Sequence, residues 1–276
     1  LTNLVWAPLA EGMDSISLSA NWMWPCRAQE GEDARLYKAV KALSDFCCEL
    51  QINVPTGKDS LSMTQKYPNG EKIISPGTVI VSAGGEVSDI KKVVSPVMVN
   101  KPKSTFYHID FSFDQLRLGG SAFAQSLNKV GDDVPTVQNP EYFRDAFLAV
   151  QELVNKGLIL AGHDISAGGL ITTLLEMCFA NTEGGMEINL DKIKCDDIVK
   201  ILFAENPVCY PGSRQAQGRS QEDSGRCRCR LREDLVCRPK NVTSWQLCTM
   251  QLTSSVSTTC VMYGILLLTC STASRA

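Results

Sequence analysis

Histidine is nearly absent from this chain: only His108 and His163 occur in 276 residues. General-base catalysis by histidine is therefore not expected, and no Ser/His/Asp or Cys/His set can be assembled. Long apolar runs are missing too. The longest, Val261 to Leu268, is interrupted by Gly264 and falls far short of the roughly 20 residues of a membrane-spanning helix. There is no excess of positive charge: the net charge is -3, which gives no electrostatic footprint for nucleic acid. No basic-then-apolar segment opens the chain, so nothing directs it to secretion, and a cytoplasmic location is expected. The first residues, LTNLVWAPLAEG, contain no initiator Met and read as the inside of an element. The expectation is a fragment.

What is present divides into two compositions. A hydrophobic content of 44% suffices for one sizeable core or two smaller ones. Residues 1–206 hold fourteen Lys and four Arg, whereas residues 207–276 hold one Lys and eight Arg. Of twelve cysteines, Cys26, Cys47, Cys48, Cys178 and Cys195 are scattered, and the other seven lie beyond residue 208. The first part reads as a reducing-compartment protein with buried thiols. The tail shows little helical or strand period. Its Cys227, Cys229, Cys237 and Cys248 do not match the paired C-x2-C knuckles of zinc sites. Either the tail is disordered or binds metal, or it is read out of frame. Val208 to Gly212 is encoded GTN TGY TAY CCN GGN, and loss of one nucleotide permits Cys-Val-Ile-Gln, a buried strand. We expect the native protein to depart from this sequence near Pro207. Sequencing codons 205–212 tests that expectation.

Strand and helix signals alternate through residues 1–206. MDSISLSANWMWP alternates about Ile16, Leu18 and Ala20, as a strand does. EDARLYKAVKALSDFCCEL carries a helical stripe at Leu36, Val40, Leu43, Phe46 and Cys47, behind an acidic start that suits a helix N-terminus. QINVPTG and GTVIVSAGGEV read as strands. Prolines interrupt the pattern over 95–104, a candidate boundary. Beyond it, STFYHIDFSF is a strand and GGSAFAQSLNKV a glycine-led helix. EYFRDAFLAVQELVNKG is an amphipathic helix with Phe143, Phe147, Val150 and Val154 on one face, stopped at Gly157. GLILAGHDISAGG precedes the helix LITTLLEMCFA, and GMEINL and DDIVKILFAE read as a strand and a helix. The fold class is mixed α/β with at least two subdomains.

Three segments carry chemistry. PTGKDSLSM, residues 55–63, is not a Walker loop, because Ile52 and Asp59 stand where Gly and Ser/Thr are needed. Gly57 permits close backbone approach to an anion, Lys58 supplies a point charge and Ser60 a hydroxyl. A plain polar turn explains the same residues. In AGHDISAGGL, Asp164 or Ser166 stands at a helix N-cap position. Gly168 and Gly169 open the helix where phosphate is favoured, and Asp164 is also a hard oxygen donor for Mg2+. His163 reads as a structural neighbour rather than a base. In RLGGSAFAQSL, Gly119 and Gly120 suit close packing or anion approach.

Taken in order, LSANWMWP, GEDARLYKAV, PTGKDSLSM, SPGTVIVSAGGEV, LGGSAFAQSL, GHDISAGGL and LLEMCFA resemble phosphoribosylformylglycinamidine synthase in its long, single-chain form. The resemblance covers about residues 1–206. It implies a two-subdomain unit like aminoimidazole ribonucleotide synthetase, truncated at its C-terminus. Residues 1–97 would be the barrel-forming subdomain of the second of two tandem repeats, 98–206 the α/β subdomain, and 207–276 an atypical tail. The first repeat and the glutaminase domain would lie outside the fragment. The family converts FGAR to FGAM with ATP and glutamine-derived ammonia, in purine biosynthesis. It implies an auxiliary ATP/ADP site with Mg2+, in which Asn3 and Asp164 are metal ligands and Ser166 touches nucleotide. Gly57, Lys58 and Ser60 would face phosphate, making PTGKDSLSM a phosphate-facing turn. No catalytic residue is implied here, and no turnover is expected of the fragment alone. Two other readings stay open: a non-catalytic nucleotide-binding or structural half-domain with a Cys-rich interaction tail, and a relative of aminoimidazole ribonucleotide or selenophosphate synthetase.

Overall fold

The computed structural model describes residues 1–99, 105–181, 185–190 and 193–213, with short strand segments at 232–235, 238–239, 249–250, 259–263 and 269–270. The cysteine run Cys227, Cys229, Cys237 and Cys248 lies outside the described residues. The chain divides into two units. Leu9–Ser88, with Leu1, forms the first, and Thr2–Pro8 with Asp89 onward forms the second. The division falls ahead of the proline-interrupted stretch. Just ahead of that stretch, within the second unit, the Val94 N–H donates to the Trp6 carbonyl at 2.9 Å.

The first unit is built on β1 (Ile16–Met23), whose Ile16, Leu18 and Ala20 are buried in alternation. This is the pattern its sequence predicts. Helix α1 (Glu32–Leu50) supplies the crossover that a parallel neighbour requires. Gly31 turns the chain into α1 at φ +82°, and Glu32 and Asp33 lie in its first turn, where the helix dipole favours negative charge. Strand β2 (Asn53–Ser60) runs parallel to β1 on one side. A small hairpin, β3 (Thr64–Lys66) and β4 (Lys72–Ile74), follows. Strand β5 (Thr78–Gly85) then pairs antiparallel with β1 on its other side. The order is β2-β1-β5. Both outer strands are solvent-exposed along almost their whole length, and Val79, Ile80 and Val81 of β5 lie open.

Here one expectation is corrected. PTGKDSLSM is not a turn: its first six residues, Pro55 to Ser60, belong to strand β2. Glycine and proline imitate turn chemistry, but an edge strand tolerates both. The register slips between the pairs Ser17–Asn53 and Ser19–Thr56, so Pro55 sits in an irregularity. Gly57 is not in a left-handed conformation. It is needed because a Cβ there would lie 2.6 Å from the carbonyl oxygen of Ala20.

The second unit holds an antiparallel sheet in which β9 (Val208–Ser213) runs between β6 (Thr105–Asp110) and β7 (Ile159–Asp164). A short strand, β10 (Arg232–Leu235), pairs with the far side of β6. Regular structure thus continues past residue 207. Helix α3 (Pro140–Asn155) is capped by Asn139, which accepts the Tyr142 N–H at 3.0 Å. It buries Phe143, Phe147, Val150 and Val154, the face its spacing predicts. Helix α4 (Gly169–Phe179) is apolar almost all round and sits in the core with Phe106, Ile188, Ile201 and Leu202. Strand β8 (Gly185–Asn189) and helix α5 (Ile198–Phe203) follow it. The glycine-led helix α2 (Ala122–Ser126) is shorter than expected, at five residues.

Candidate nucleotide and metal site

The segment Thr2–Pro8 belongs to the second unit, and three contacts hold it there. The Trp6 ring packs against β7 at Gly162: a Cβ there would fall 2.1 Å from it, so only glycine fits. From α3, the buried Gln151 amide donates to the carbonyls of Val5 at 2.7 Å and Ala7 at 2.9 Å. The Trp6 carbonyl takes the Val94 N–H already described. These contacts carry Thr2 to the end of β7, where its hydroxyl donates to Asp164 Oδ2 at 3.1 Å.

Asp164 is 6% exposed. Burial pushes its carboxyl up, but the combined pull of His163, a local backbone N–H and the Thr2 hydroxyl outweighs burial, and its pKa falls below the ordinary carboxylate value. His163 is raised, first by the Asp164 carboxylate and against burial. Its Nδ1 faces the Asp164 carbonyl at 2.8 Å and the carboxylate at 3.7 Å, and its Nε2 faces Glu176 of α4 at 3.1 Å. An imidazolium satisfies acceptors on both sides at once. His163 therefore braces Asp164, as a structural neighbour would. Asn3, next to Thr2, is exposed and its side chain caps no helix. Among the described residues no group of three or more His, Cys, Asp or Glu side chains is placed to hold a metal ion.

The connection from β7 to α4 corrects a second expectation. Neither Asp164 nor Ser166 caps α4. The N-cap is Gly168, at φ +92°, with no side-chain cap of its own. Its N–H donates instead to Glu205 Oε1 at 2.8 Å. Ser166 is exposed, and its carbonyl accepts the Gly169 N–H at 3.1 Å. Gly169 lets α4 approach α5, since a Cβ there would meet the Phe203 backbone at 2.6 Å. Glu205 and Asn206 were not singled out from sequence. The available signal was two polar residues closing an apolar helix before a proline, in FAENP.

In the first unit, Lys58 and Ser60 stand together near the end of β2. The Lys58 ammonium donates to Ser60 Oγ at 2.7 Å and to the Asp59 carbonyl at 2.8 Å. Lys58 is exposed and Ser60 half-buried, so a cation and a hydroxyl are presented side by side.

Residues 1–86 match the family described as the FGAR-AT PurM_N-like domain, and residues 109–209 the C-terminal domain of AIR synthase related proteins. A Caenorhabditis elegans protein named probable phosphoribosylformylglycinamidine synthase is 41% identical over 219 residues. The match covers 74% of this chain and 16% of the relative. The chain is a homologue of phosphoribosylformylglycinamidine synthase. An Arabidopsis thaliana protein of that name, designated chloroplastic/mitochondrial, is 41% identical over 192 residues, covering 69% of this chain and 13% of its own length. The Dictyostelium discoideum synthase is 39% identical over 216 residues, with coverage of 74% and 16%. The chain thus spans about one sixth of the curated synthases it matches. Among solved structures, Thermotoga maritima PurL complexed with ADP aligns at TM-score 0.51 and 13% identity, over 87% of this chain and 35% of that one. A HypE-HypF complex aligns at TM-score 0.53 and 14% identity, over 83% and 74%. At such identities these alignments establish the mixed α/β fold. Among the described residues no helix is long and apolar enough to cross a membrane.

Proposed function

We propose that this chain supplies part of the second synthetase repeat of a phosphoribosylformylglycinamidine synthase, and that its second unit contributes to an auxiliary ADP/ATP site. The whole enzyme would convert FGAR, ATP, glutamine and water to FGAM, ADP, phosphate and glutamate. ATP would activate the substrate's amide oxygen, and ammonia from a glutaminase domain would displace it. Fixed donors and charges supply most of the catalysis in such transfers. We assign no catalytic residue to this chain. Turnover belongs, in this reading, to the whole synthase, with its first repeat and glutaminase, in the cytoplasm; the Arabidopsis relative is designated for organelles.

The observation that carries the reading is the pinning of Thr2-Asn3 beside an ionised, buried Asp164. Mg2+ binds through one or two carboxylate or amide oxygens, several waters and substrate phosphates rather than in an all-protein cage. Asp164 and Asn3 fit such a partial donor set and would hold the ion, whose charge would offset that of nucleotide phosphates. Ser166, exposed on the β7–α4 connection, would contact the nucleotide. Gly57, Lys58 and Ser60 would face a phosphate in the first unit. Residues 1–97, which include that unit, we read as the barrel-forming subdomain, with the open β2 and β5 to be covered by the first repeat. Residues 98–206 are the α/β subdomain, and 207–276 an out-of-frame tail whose first residues take a strand position.

Calorimetry with ADP and ATP, with and without Mg2+, tests the site on the 276-residue chain. Mg2+-dependent binding that Asp164→Ala abolishes is the expected result. A folded chain that binds neither nucleotide sinks the assignment and leaves a structural half-domain. Stoichiometric zinc in the purified protein would instead favour a metal-binding tail.

A further inference from the structure

We propose that Glu205 is a positioning residue that sets the geometry of both glycine-led segments and, through them, the nucleotide site; the second half of this statement rests on the reading above. One oxygen, Glu205 Oε1, accepts two backbone N–H groups, Gly168 at 2.8 Å and Ala122 at 2.8 Å. These donors open α4 and α2, so a single carboxylate binds the start of each helix. A carboxylate oxygen has the lone pairs for two donors, and backbone N–H bonds to a charged acceptor are among the stronger kind. The donors belong to segments that sequence alone marked out for their glycines.

The surroundings hold Glu205 in place. It lies two residues beyond α5, whose Phe203 stacks on Phe123 of α2 with ring centroids 4.4 Å apart. Asn206 is buried; its Oδ1 accepts the Arg117 N–H at 3.2 Å, and its Nδ2 donates to the Gln115 carbonyl at 3.0 Å. The residues flanking Glu205 thus grip the chain that leads into α2. On the other side, Ile165 to Gly168 is fixed at both ends: Asp164 by Thr2 and His163, Gly168 by Glu205. Ser166 hangs between these anchors. Releasing Gly168 frees the connection that carries Ser166 while leaving the Thr2–Asp164 contact untouched.

The test uses the 276-residue chain with Glu205→Ala, Glu205→Gln and Glu205→Asp. Two quantities are read: hydrogen exchange of the Ala122 and Gly168 amides, and MgADP affinity. The alanine variant loses both acceptors, so both amides should exchange about tenfold faster or more, and MgADP affinity should fall about tenfold. Glutamine keeps an oxygen at the same reach and should stay within about threefold of wild type on both readings. Aspartate keeps the charge but is one methylene shorter, and at least one amide should speed up. If alanine does not fold, the contrast between glutamine and aspartate decides. Wild-type exchange at both amides in the alanine or aspartate variant overturns the proposal. So does an equal loss of affinity in glutamine and alanine with the amides unchanged, which would make Glu205 a charge rather than a clamp. If the wild-type chain does not bind MgADP, the nucleotide reading fails separately, and amide exchange alone decides the clamp.

Discussion

Gly162 owes its identity to a residue near the start of the chain. The Trp6 ring fills the space where a side chain would stand, within 2.1 Å of a Cβ position. Gly162→Ala should therefore displace Thr2–Pro8 and cost about 2 kcal/mol or more, by overpacking. Urea unfolding checks this, and a midpoint equal to wild type would show that the ring can move aside. Sequence marked Gly168 and Gly169 but not Gly162, because the contact that demands glycine lies far away along the chain. Asp114 makes a second residue-scale case. Its carboxylate pairs with Arg117 at 2.8 Å, and Arg117 also reaches Asp133. The Arg117 hydrogen bond, against burial, holds the Asp114 carboxyl below its ordinary value. A group lowered in the folded state stabilises the protein above its unfolded pKa, about 3.9 for Asp, and loses that contribution as pH falls further. Stability should accordingly drop below about pH 4. Asp114→Asn should be less stable than wild type at pH 7 and show a shallower loss at acid pH. Parallel pH profiles for the two proteins would sink this assignment.

At the scale of elements, legibility followed burial on one face. Helix α3 showed its stripe in sequence because one side meets the core and the other meets water. Its Phe147 is fully buried while the adjacent Leu148 is 43% exposed. Phe147→Ala should cost about 3–5 kcal/mol, and Leu148→Ala only about 0.5 kcal/mol or less. Equal effects of the two on thermal unfolding would show that α3 does not pack through this face. Strand β1 was readable for the same reason, through Ile16, Leu18 and Ala20. Strand β2 was legible only in its first part, through QINVPTG, and its exposed continuation to Ser60 carries no alternation to mark it. What remained visible in β2 was Pro55, Gly57, Asp59 and Ser60, a composition shared by turns and irregular edge strands. The α4 cap was misplaced for a related reason. Local sequence offered Asp164 and Ser166, whereas the carboxylate that takes the Gly168 N–H comes from beyond α5.

At the scale of the whole molecule, the alternation of helices and strands made the mixed α/β class legible, while the content of one sheet position was not. Strand β9 lies between β6 and β7, so its backbone is flanked by partners on both sides. Pairing there uses main-chain groups that any sequence carries, except proline, which has no N–H to give. Pro211 stands in this central strand opposite Gly162 of β7, a place where proline is atypical. The alternative reading frame permits Cys-Val-Ile-Gln at positions 208–211, with a donor at every residue. Installing it as Val208→Cys, Cys209→Val, Tyr210→Ile and Pro211→Gln should raise stability by about 1 kcal/mol, the net worth of one backbone hydrogen bond regained. Urea unfolding of the quadruple variant and of Pro211→Gln alone measures it. If the missing N–H dominates, the single change recovers most of the gain. If β-branched side chains dominate, only the quadruple variant does. A quadruple variant no more stable than the parent would show that 208–211 already suits its place in the sheet, and the frame argument would lose its structural support.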